Sequence, residues 1–140
     1  MKLSTYLTFD GNAREAFTFY QQVLGGELAV MSFGESPVSG DMPAEHHGRT
    51  MHACLTFDGQ SLMASDSMPE GACGAERYEG IKGCSIALHP ASVAKGERLF
   101  AALAEGGQVI MPMEKTFWAE RFGMLTDRFG VSWMVNCEQA

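Results

Sequence analysis

The feature that most constrains the fold of this chain is an internal repeat. A strand, a glycine turn and the pattern Gly-x-Ser-(large apolar)-Met occur together twice, at Gly59 to Met63 and again at Gly130 to Met134. Each half also contains a helical pattern that stops at a glycine pair, Gly25-Gly26 in the first and Gly106-Gly107 in the second. Two copies of one supersecondary unit, which bury each other's sheets, are therefore predicted.

Each copy is predicted as a βαβββ module. In the first, apolar residues alternate as in a strand and then recur at helical spacing, and Asp58-Gly59 marks a tight hairpin turn. Asn12 followed by Glu15 has the pattern of a capping box at the helix start. The predicted strands lie at 2–9, 27–33, 50–57 and 60–66, with a polar loop at 34–49.

The second module restarts after a loop rich in glycine. Ser92 is predicted as the N-cap of a helix at 93–105, a strand is predicted at 83–89, and the closing hairpin turns at Asp127 to Gly130. The sequence thus predicts one α+β domain, with module one at about 1–66, a linker at 67–82 and module two at about 83–137. Tandem βαβββ modules are expected to form a curved mixed sheet, a half-barrel around a cavity that would hold the site.

Composition excludes several classes of partner. The formal net charge is −7 and the sequence pI is about 5.0, so nucleic acid and anionic membrane surfaces would be repelled. No apolar run approaches the roughly 20 residues that cross a bilayer. The four cysteines, Cys54, Cys73, Cys84 and Cys137, form no CxxC pair, and Met1-Lys2 leads directly into a strand-like segment. We therefore expect free thiols in a soluble, cytoplasmic protein.

Motifs along nearly the whole chain resemble one family. They are Tyr6 to Ala16, Phe19-Tyr20, Leu24 to Gly26, Met51 to Leu55, Asp66, Met111-Pro112 and Phe117 to Trp133. The chain resembles the vicinal oxygen chelate superfamily, which includes glyoxalase I, extradiol dioxygenases, and fosfomycin and bleomycin resistance proteins. It is most similar to the PhnB-like branch, which is also described as resembling a demethylubiquinone methyltransferase. No Gly-rich strand-to-helix turn supports methyl transfer here.

The resemblance implies four positions at which metal-using members place His and Glu ligands. In this chain they fall at Thr5, give or take one residue, near Met63, at Ser85 and at Met134. Two thioethers and two hydroxyls bind a hard divalent cation weakly. We therefore predict no metal and no cofactor, and a small organic ligand that contacts these four residues.

Further ligand contacts are predicted in the stretch before and within the closing hairpin. Trp118 and Met124 can form an aromatic and thioether wall, and Arg121 can hold an anionic group of the ligand or form a salt bridge. Asp66 and Asp127 each end a strand, where carboxylates usually accept backbone N–H groups.

Two enzymatic alternatives remain open. A metal-dependent glyoxalase- or dioxygenase-type enzyme would draw its ligands from Glu45, His46, His47 and His52. A metal-free enzyme would use His52, on the third strand, as a general acid or base. In either case the resemblance implies a homodimer.

Overall fold

The computed structural model describes residues 1–37, 39–71 and 75–138, and the chain divides into two compact units, Met1–Ile81 and Lys82–Ala140. Unit 1 contains one four-stranded sheet and one helix. Its sheet has the order β1-β4-β3-β2, with β1 parallel to β4 and the other pairs antiparallel. The elements are β1 (Thr5–Phe9), α1 (Ala13–Leu24), β2 (Glu27–Ser32), β3 (Thr50–Phe57) and β4 (Gln60–Asp66), with short 3-10 turns at Phe33–Glu35, Ser39–Asp41 and Ala44–His46.

Unit 2 has the same pattern. Its sheet has the order β5-β8-β7-β6, with β5 parallel to β8 and the other pairs antiparallel. The elements are β5 (Ile86–Leu88), α2 (Val93–Ala104), β6 (Gln108–Glu114), β7 (Ala119–Thr126) and β8 (Ser132–Glu138). The α+β class and the tandem βαβββ order are confirmed. Each sheet is open and does not close into a barrel.

Two predicted strands were too long at their N-terminal ends. Strand β1 begins at Thr5 rather than at residue 2, and β5 begins at Ile86 rather than at residue 83. Leu3 is 97% exposed, so the alternation that extends before Thr5 faces no packed surface. Apolar alternation predicts a strand only where a neighbouring strand continues to pair with it.

The two helix starts are capped in different ways. Ser92 accepts the N–H of Lys95 at 3.1 Å, which confirms the predicted cap of α2. The capping box predicted for α1 is wrong, because the side chain of Asn12 makes no cap hydrogen bond. Asp66, at the end of β4, instead accepts the N–H groups of Gly11 and Ala13, each at 2.9 Å.

In the part of the chain that the structure describes, no helix is long and apolar enough to span a membrane.

Each unit has its own core, in which the helix packs on one face of its sheet. In unit 1, Phe17 of α1 makes edge contacts with Phe9 of β1 and Tyr20. The fully buried residues of unit 1 include Ala53, Leu55 and Ala64; those of unit 2 include Leu103, Leu125, Trp133 and Val135.

Glycines allow the same close approach in both units. At Gly26 a Cβ would collide with the carbonyl oxygen of Thr56, and at Gly107 with that of Thr126. The glycine pairs that end the two helices therefore serve the same purpose, which is to bring the next strand against its hairpin partner. The Asp58-Gly59 turn is also as predicted, since both residues have positive φ, 48° and 74°.

Part of the predicted linker packs on unit 1. The N–H of Ser67 donates to the carbonyl of Phe9 at 2.6 Å, and the hydroxyl of Tyr78 donates to that of Thr8 at 2.7 Å. Burial, followed by the charges of Asp10 and Asp66, raises the pKa of Tyr78 above its ordinary value of 10.0. The Ser67 bond continues the pairing of β4 with β1, whereas the Tyr78 bond covers the outer edge of β1, which has no strand beyond it in unit 1.

Candidate functional site

Each sheet has one face that does not pack on its helix, and these two faces carry four of the eight predicted site residues, namely His52, Met63, Met124 and Met134. In unit 1, strand alternation turns Leu7 and Ala53 toward α1 and turns their neighbours Tyr6 and His52 away. We call this the first helix-free face. It is formed by Tyr6, Thr8, Glu27, Ala29, Met31, His52, Cys54, Thr56, Ser61, Met63 and Ser65.

The second helix-free face belongs to the sheet of unit 2. On β8, Trp133 and Val135 are buried toward α2, and the alternate residues face away. This face is formed by Met111, Phe122, Met124, Thr126, Ser132, Met134 and Asn136. Three thioethers lie side by side across it, because Met124 pairs with Met111 on one side and with Met134 on the other.

Met63 and Met134 occupy the same position in the two sheets. Met63 lies between Tyr6 of β1 and Cys54 of β3, and Met134 lies between Ala87 of β5 and Met124 of β7. Both side chains are half-buried although no helix covers them. The internal repeat in the sequence therefore corresponds to a repeat of geometry at the predicted ligand positions.

The two hydroxyl positions are placed differently. Thr5 pairs with Leu62, on the face that packs on α1, so the first-strand residue on the helix-free face is Tyr6. Ser85 directly precedes β5, and its Oγ lies 2.8 Å from Oγ of Ser132. The sequence placed this position at Thr5, give or take one residue, and the alternation of Tyr6 with the buried Leu7 and Phe9 identifies Tyr6 within that range.

Tyr6 and His52 form a pair across the first helix-free face. Oη of Tyr6 lies 3.1 Å from Nδ1 of His52, and the two rings are stacked with centroids 5.8 Å apart. His52 is half-buried and pairs with Met31 of β2. The predicted acid or base therefore has a fixed ring orientation and a hydrogen-bonding partner.

Trp118 lies over one end of the second helix-free face. Its indole N–H donates to Oδ1 of Asn136 at 3.2 Å, and its ring packs on Phe122 with centroids 5.3 Å apart. The ring remains 47% exposed. Asn136, which had no signal in the sequence, thus orients the aromatic side chain that was predicted to meet a ligand.

Arg121 lies apart from the other residues predicted to contact a ligand, and it forms the salt bridge that was its alternative role. It pairs with Cys137 on β8, on the face that packs on α2. Its Nε lies 3.9 Å from a carboxylate oxygen of Glu97 in α2, and one terminal nitrogen donates to the carbonyl of Glu120. A bulge between Ala119 and Arg121 shifts the alternation, which the sequence alone does not show.

The histidines of the long loop do not assemble with His52. Nε2 of His47 lies 2.9 Å from the carbonyl of Ser39 and 3.1 Å from that of Met42, so this nitrogen is engaged by backbone acceptors. His46 lies 3.6 Å from its neighbour Glu45. Among the described residues, no three side chains of His, Cys, Asp or Glu are placed to hold a metal ion. The residues present therefore do not fit the metal that the superfamily resemblance implies.

A pocket of about 400 Å³ opens in unit 2 at the start of α2, and the sequence did not predict it. Its lining includes His89, Ser92, Glu120, Cys137 and Glu138. Burial, followed by the charges of Glu97 and Glu120, raises the pKa of the Cys137 thiol, and Arg121 acts weakly in the opposite direction. A neutral, buried thiol beside carboxylates has little nucleophilic character.

The four cysteines were predicted as free thiols. Cys54, Cys84 and Cys137 are free in the described part of the chain, and Cys73 lies outside it. Cys54 is half-buried on the first helix-free face, with Sγ 3.7 Å from the hydroxyl of Thr56. Of the three described cysteines, only Cys84 is exposed.

Two βαβββ units with open mixed sheets are the fold of the vicinal oxygen chelate superfamily. The chain has this fold in common with a glyoxalase/bleomycin resistance protein/dioxygenase family enzyme from Burkholderia phytofirmans, at a TM-score of 0.60 and 16% identity over 97% of both chains. Residues 1–136 match the family described as 3-demethylubiquinone-9 3-methyltransferase. The chain therefore belongs to this family, and it shares the fold of the vicinal oxygen chelate superfamily.

Relatives within the family are similar over their whole length. Protein PA1353 from Pseudomonas aeruginosa is 55% identical, with a TM-score of 0.89 over 100% of this chain and 99% of that one. Protein YjdN from Escherichia coli is 40% identical over 97% of this chain and 95% of its own length. A PhnB protein from Bacillus cereus is 26% identical, with a TM-score of 0.74 over 98% and 99% of the two chains.

Proposed function

We propose that this protein binds a small organic molecule on a helix-free face of its sheets, without a metal ion. The observation that carries the proposal is the equivalent placement of Met63 and Met134, each half-buried on a face that no helix covers. Thioethers contact flat apolar ligands well and hard cations poorly. Trp118, which is oriented by its hydrogen bond to Asn136, adds an aromatic surface at one end of the second helix-free face, on which Met134 lies.

The donor chemistry of the four implied metal positions supports binding over metal chemistry. These positions were placed at Thr5, give or take one residue, and at Met63, Ser85 and Met134. With either Thr5 or its neighbour Tyr6 they offer two neutral hydroxyls and two thioethers. The alternative cluster of Glu45, His46, His47 and His52 is separated into independent contacts in the structure. Neither set resembles a preorganised cage for a divalent ion.

The family description names a methyltransferase, and the turns of this chain give that activity no support. A nucleotide-like methyl donor usually binds where free backbone N–H groups follow a strand and open a helix. Here the N–H groups of Gly11 and Ala13 donate to Asp66, and that of Lys95 donates to Ser92. Calorimetric titration with S-adenosylmethionine is expected to show no binding.

Tag-free protein provides the direct test. Native mass spectrometry, followed by extraction, is expected to recover an organic compound or to show binding from a panel of small aromatic compounds, with quenching of Trp118 fluorescence. The chain has two tryptophans, and Trp133 is fully buried. Loss of the quenching in a Trp118→Phe variant would therefore assign the signal to Trp118. Near-stoichiometric Fe, Mn, Ni or Zn by elemental analysis, together with no organic binding, would contradict the proposal.

A second candidate is metal-free acid-base catalysis by His52, which the contact with Tyr6 favours because it orients the ring. In that case His52→Gln would abolish turnover of a bound compound and leave its affinity largely unchanged. Equal loss of affinity and turnover would instead assign His52 to binding.

We also propose that the protein acts as a cytoplasmic homodimer. Edge strand β6 supports association with a second copy, since Val109, Ile110 and Met111 are 45%, 51% and 43% exposed. The charge of −7 is compatible with a small-molecule ligand and unfavourable for nucleic acid.

A further inference from the structure

The pair formed by Tyr6 and His52 defines one free hydrogen-bonding atom on the first helix-free face. Nδ1 of His52 is engaged by Oη of Tyr6 at 3.1 Å, and the two rings stack with centroids 5.8 Å apart, which favours this orientation of the imidazole. Within residues that the structure describes, Nε2 of His52 has no hydrogen-bond partner. The ring is half-buried, so Nε2 is the atom that remains for a ligand.

We propose that Tyr6 is a positioning residue that holds His52 as the Nε2–H tautomer, and that Nε2–H donates to the acidic or anionic oxygen of a flat apolar ligand such as a phenol. A phenolic O–H is a better donor than the N–H of neutral imidazole, so Tyr6 donates and Nδ1 accepts. The remaining ring proton is then on Nε2. This inference rests on the proposed function and names the ligand class.

The neighbours of His52 determine that class. Met31 pairs with His52 across β2, while Met63 and Ser65 of β4 lie between Tyr6 and His52. Thioethers and an alcohol favour an aromatic ring and offer no counter-charge to a cationic ligand. Among the strand residues of this face the one carboxylate is Glu27, which pairs with Thr56. Thr56 lies four residues from His52, or about 13 Å along the strand.

The tautomer is tested by two-bond ¹H–¹⁵N correlation spectra of the imidazole nitrogens. The wild type is expected to show an Nε2-protonated His52, with a mixture of tautomers in Tyr6→Phe. The signals of His46 and His89 serve as internal controls because neither ring contacts Tyr6. An Nδ1-protonated His52, or identical His52 signals in wild type and Tyr6→Phe, overturns the positioning role.

The ligand class is tested with 4-nitrophenol, whose anion absorbs separately from the neutral form, and with its methyl ether 4-nitroanisole. The full-length wild-type protein is expected to bind 4-nitrophenol at least tenfold tighter than 4-nitroanisole and to increase the absorbance of the anion. His52→Phe, whose ring carries no hydrogen-bond donor, is expected to remove this preference, and Tyr6→Phe to reduce it. Circular dichroism and thermal melting establish that both variants are folded.

The remaining outcomes distinguish a failure of this inference from a failure of the proposed function. If 4-nitrophenol binds equally to wild type and His52→Phe, the inference fails and the proposed function stands. It also fails if other small compounds bind and both nitro probes do not. If no compound of the aromatic panel binds, the proposed function fails, and the inference fails with it.

Discussion

Asp127 accepts the indole N–H of Trp133 on Oδ2 at 2.8 Å, and both side chains are buried within unit 2. Its Oδ1 accepts the N–H groups of Phe129 and Val131 at 2.8 and 3.0 Å. One carboxylate therefore closes the β7–β8 turn and satisfies the only polar group of a fully buried indole. Asp66 has the corresponding role in unit 1, where it accepts the N–H groups of Gly11, Ala13 and Thr50.

Replacement of Asp127 by Ala is expected to reduce the free energy of unfolding by about 2–5 kcal/mol, because three donors in or near the core lose their acceptor. Asp127→Asn is expected to cost less, since its amide oxygen can still accept the turn N–H groups. Urea denaturation followed by Trp fluorescence measures both. Equal midpoints for wild type and Asp127→Ala would contradict the prediction.

A clash is predicted between a new methyl group at position 96 and Cys137. Alanine normally stabilises a helix by about 1 kcal/mol relative to glycine, but a Cβ at Gly96 would overlap Sγ of Cys137 and lies 3.2 Å from Cγ of Pro90. Gly96→Ala is therefore expected to destabilise the protein by about 1–3 kcal/mol. The double variant with Cys137→Ala should lose less than the sum of the single variants. Additive losses would show that the two sites do not touch.

Thiol reactivity should follow exposure and ionisation. Cys84 is exposed, whereas Cys137 is 2% exposed and burial raises its pKa. In a Cys73→Ser background, iodoacetamide at about pH 8 is expected to modify Cys84 first, Cys54 more slowly and Cys137 only on unfolding. Peptide mass spectrometry over time gives the order. Early modification of Cys137 in folded protein would be inconsistent with it.

Alkaline pH is expected to weaken the fold through Cys137 and Tyr78. Both pKa values are raised in the folded state, above ordinary values of 9.0 and 10.0. Their contribution to stability is complete below those values and is lost as pH rises through the folded pKa, because the unfolded chain ionises first. Urea midpoints between about pH 8 and pH 11 should fall less steeply in Cys137→Ala and Tyr78→Phe than in wild type. Parallel slopes in all three proteins would count against both shifts.

Dimerisation through β6 is tested by a charge on its exposed side. Ile110→Lys is expected to convert a dimer to a monomer, because a lysine ammonium cannot be buried between two edge strands without a partner. Light scattering after size exclusion gives the mass, which for one chain is 15.2 kDa. Leu3→Lys, at an exposed position before β1, is the matched control. A dimeric Ile110→Lys would place the interface elsewhere.

Local chemistry explains which parts of the fold could be predicted. The Asp58-Gly59 turn and the Ser92 cap depend on residues a few positions apart, and both were found where the sequence indicated. The α1 cap could not be read in the same way, since its acceptor, Asp66, is more than fifty residues from Ala13. Placement of Arg121 likewise depends on a bulge in the pairing of β7 with β8.

The sequence by itself determined the order of elements, their duplication and the residue types at the four positions that the resemblance implies, because these depend on residue type and short-range periodicity. Only the tertiary structure decided that Tyr6 rather than Thr5 shares a face with His52, and that Asn136 holds Trp118. A one-residue difference reverses the face of a strand residue. The side of the sheet that a residue faces depends on pairing between strands that are distant in the sequence, and a local sequence pattern does not contain this information.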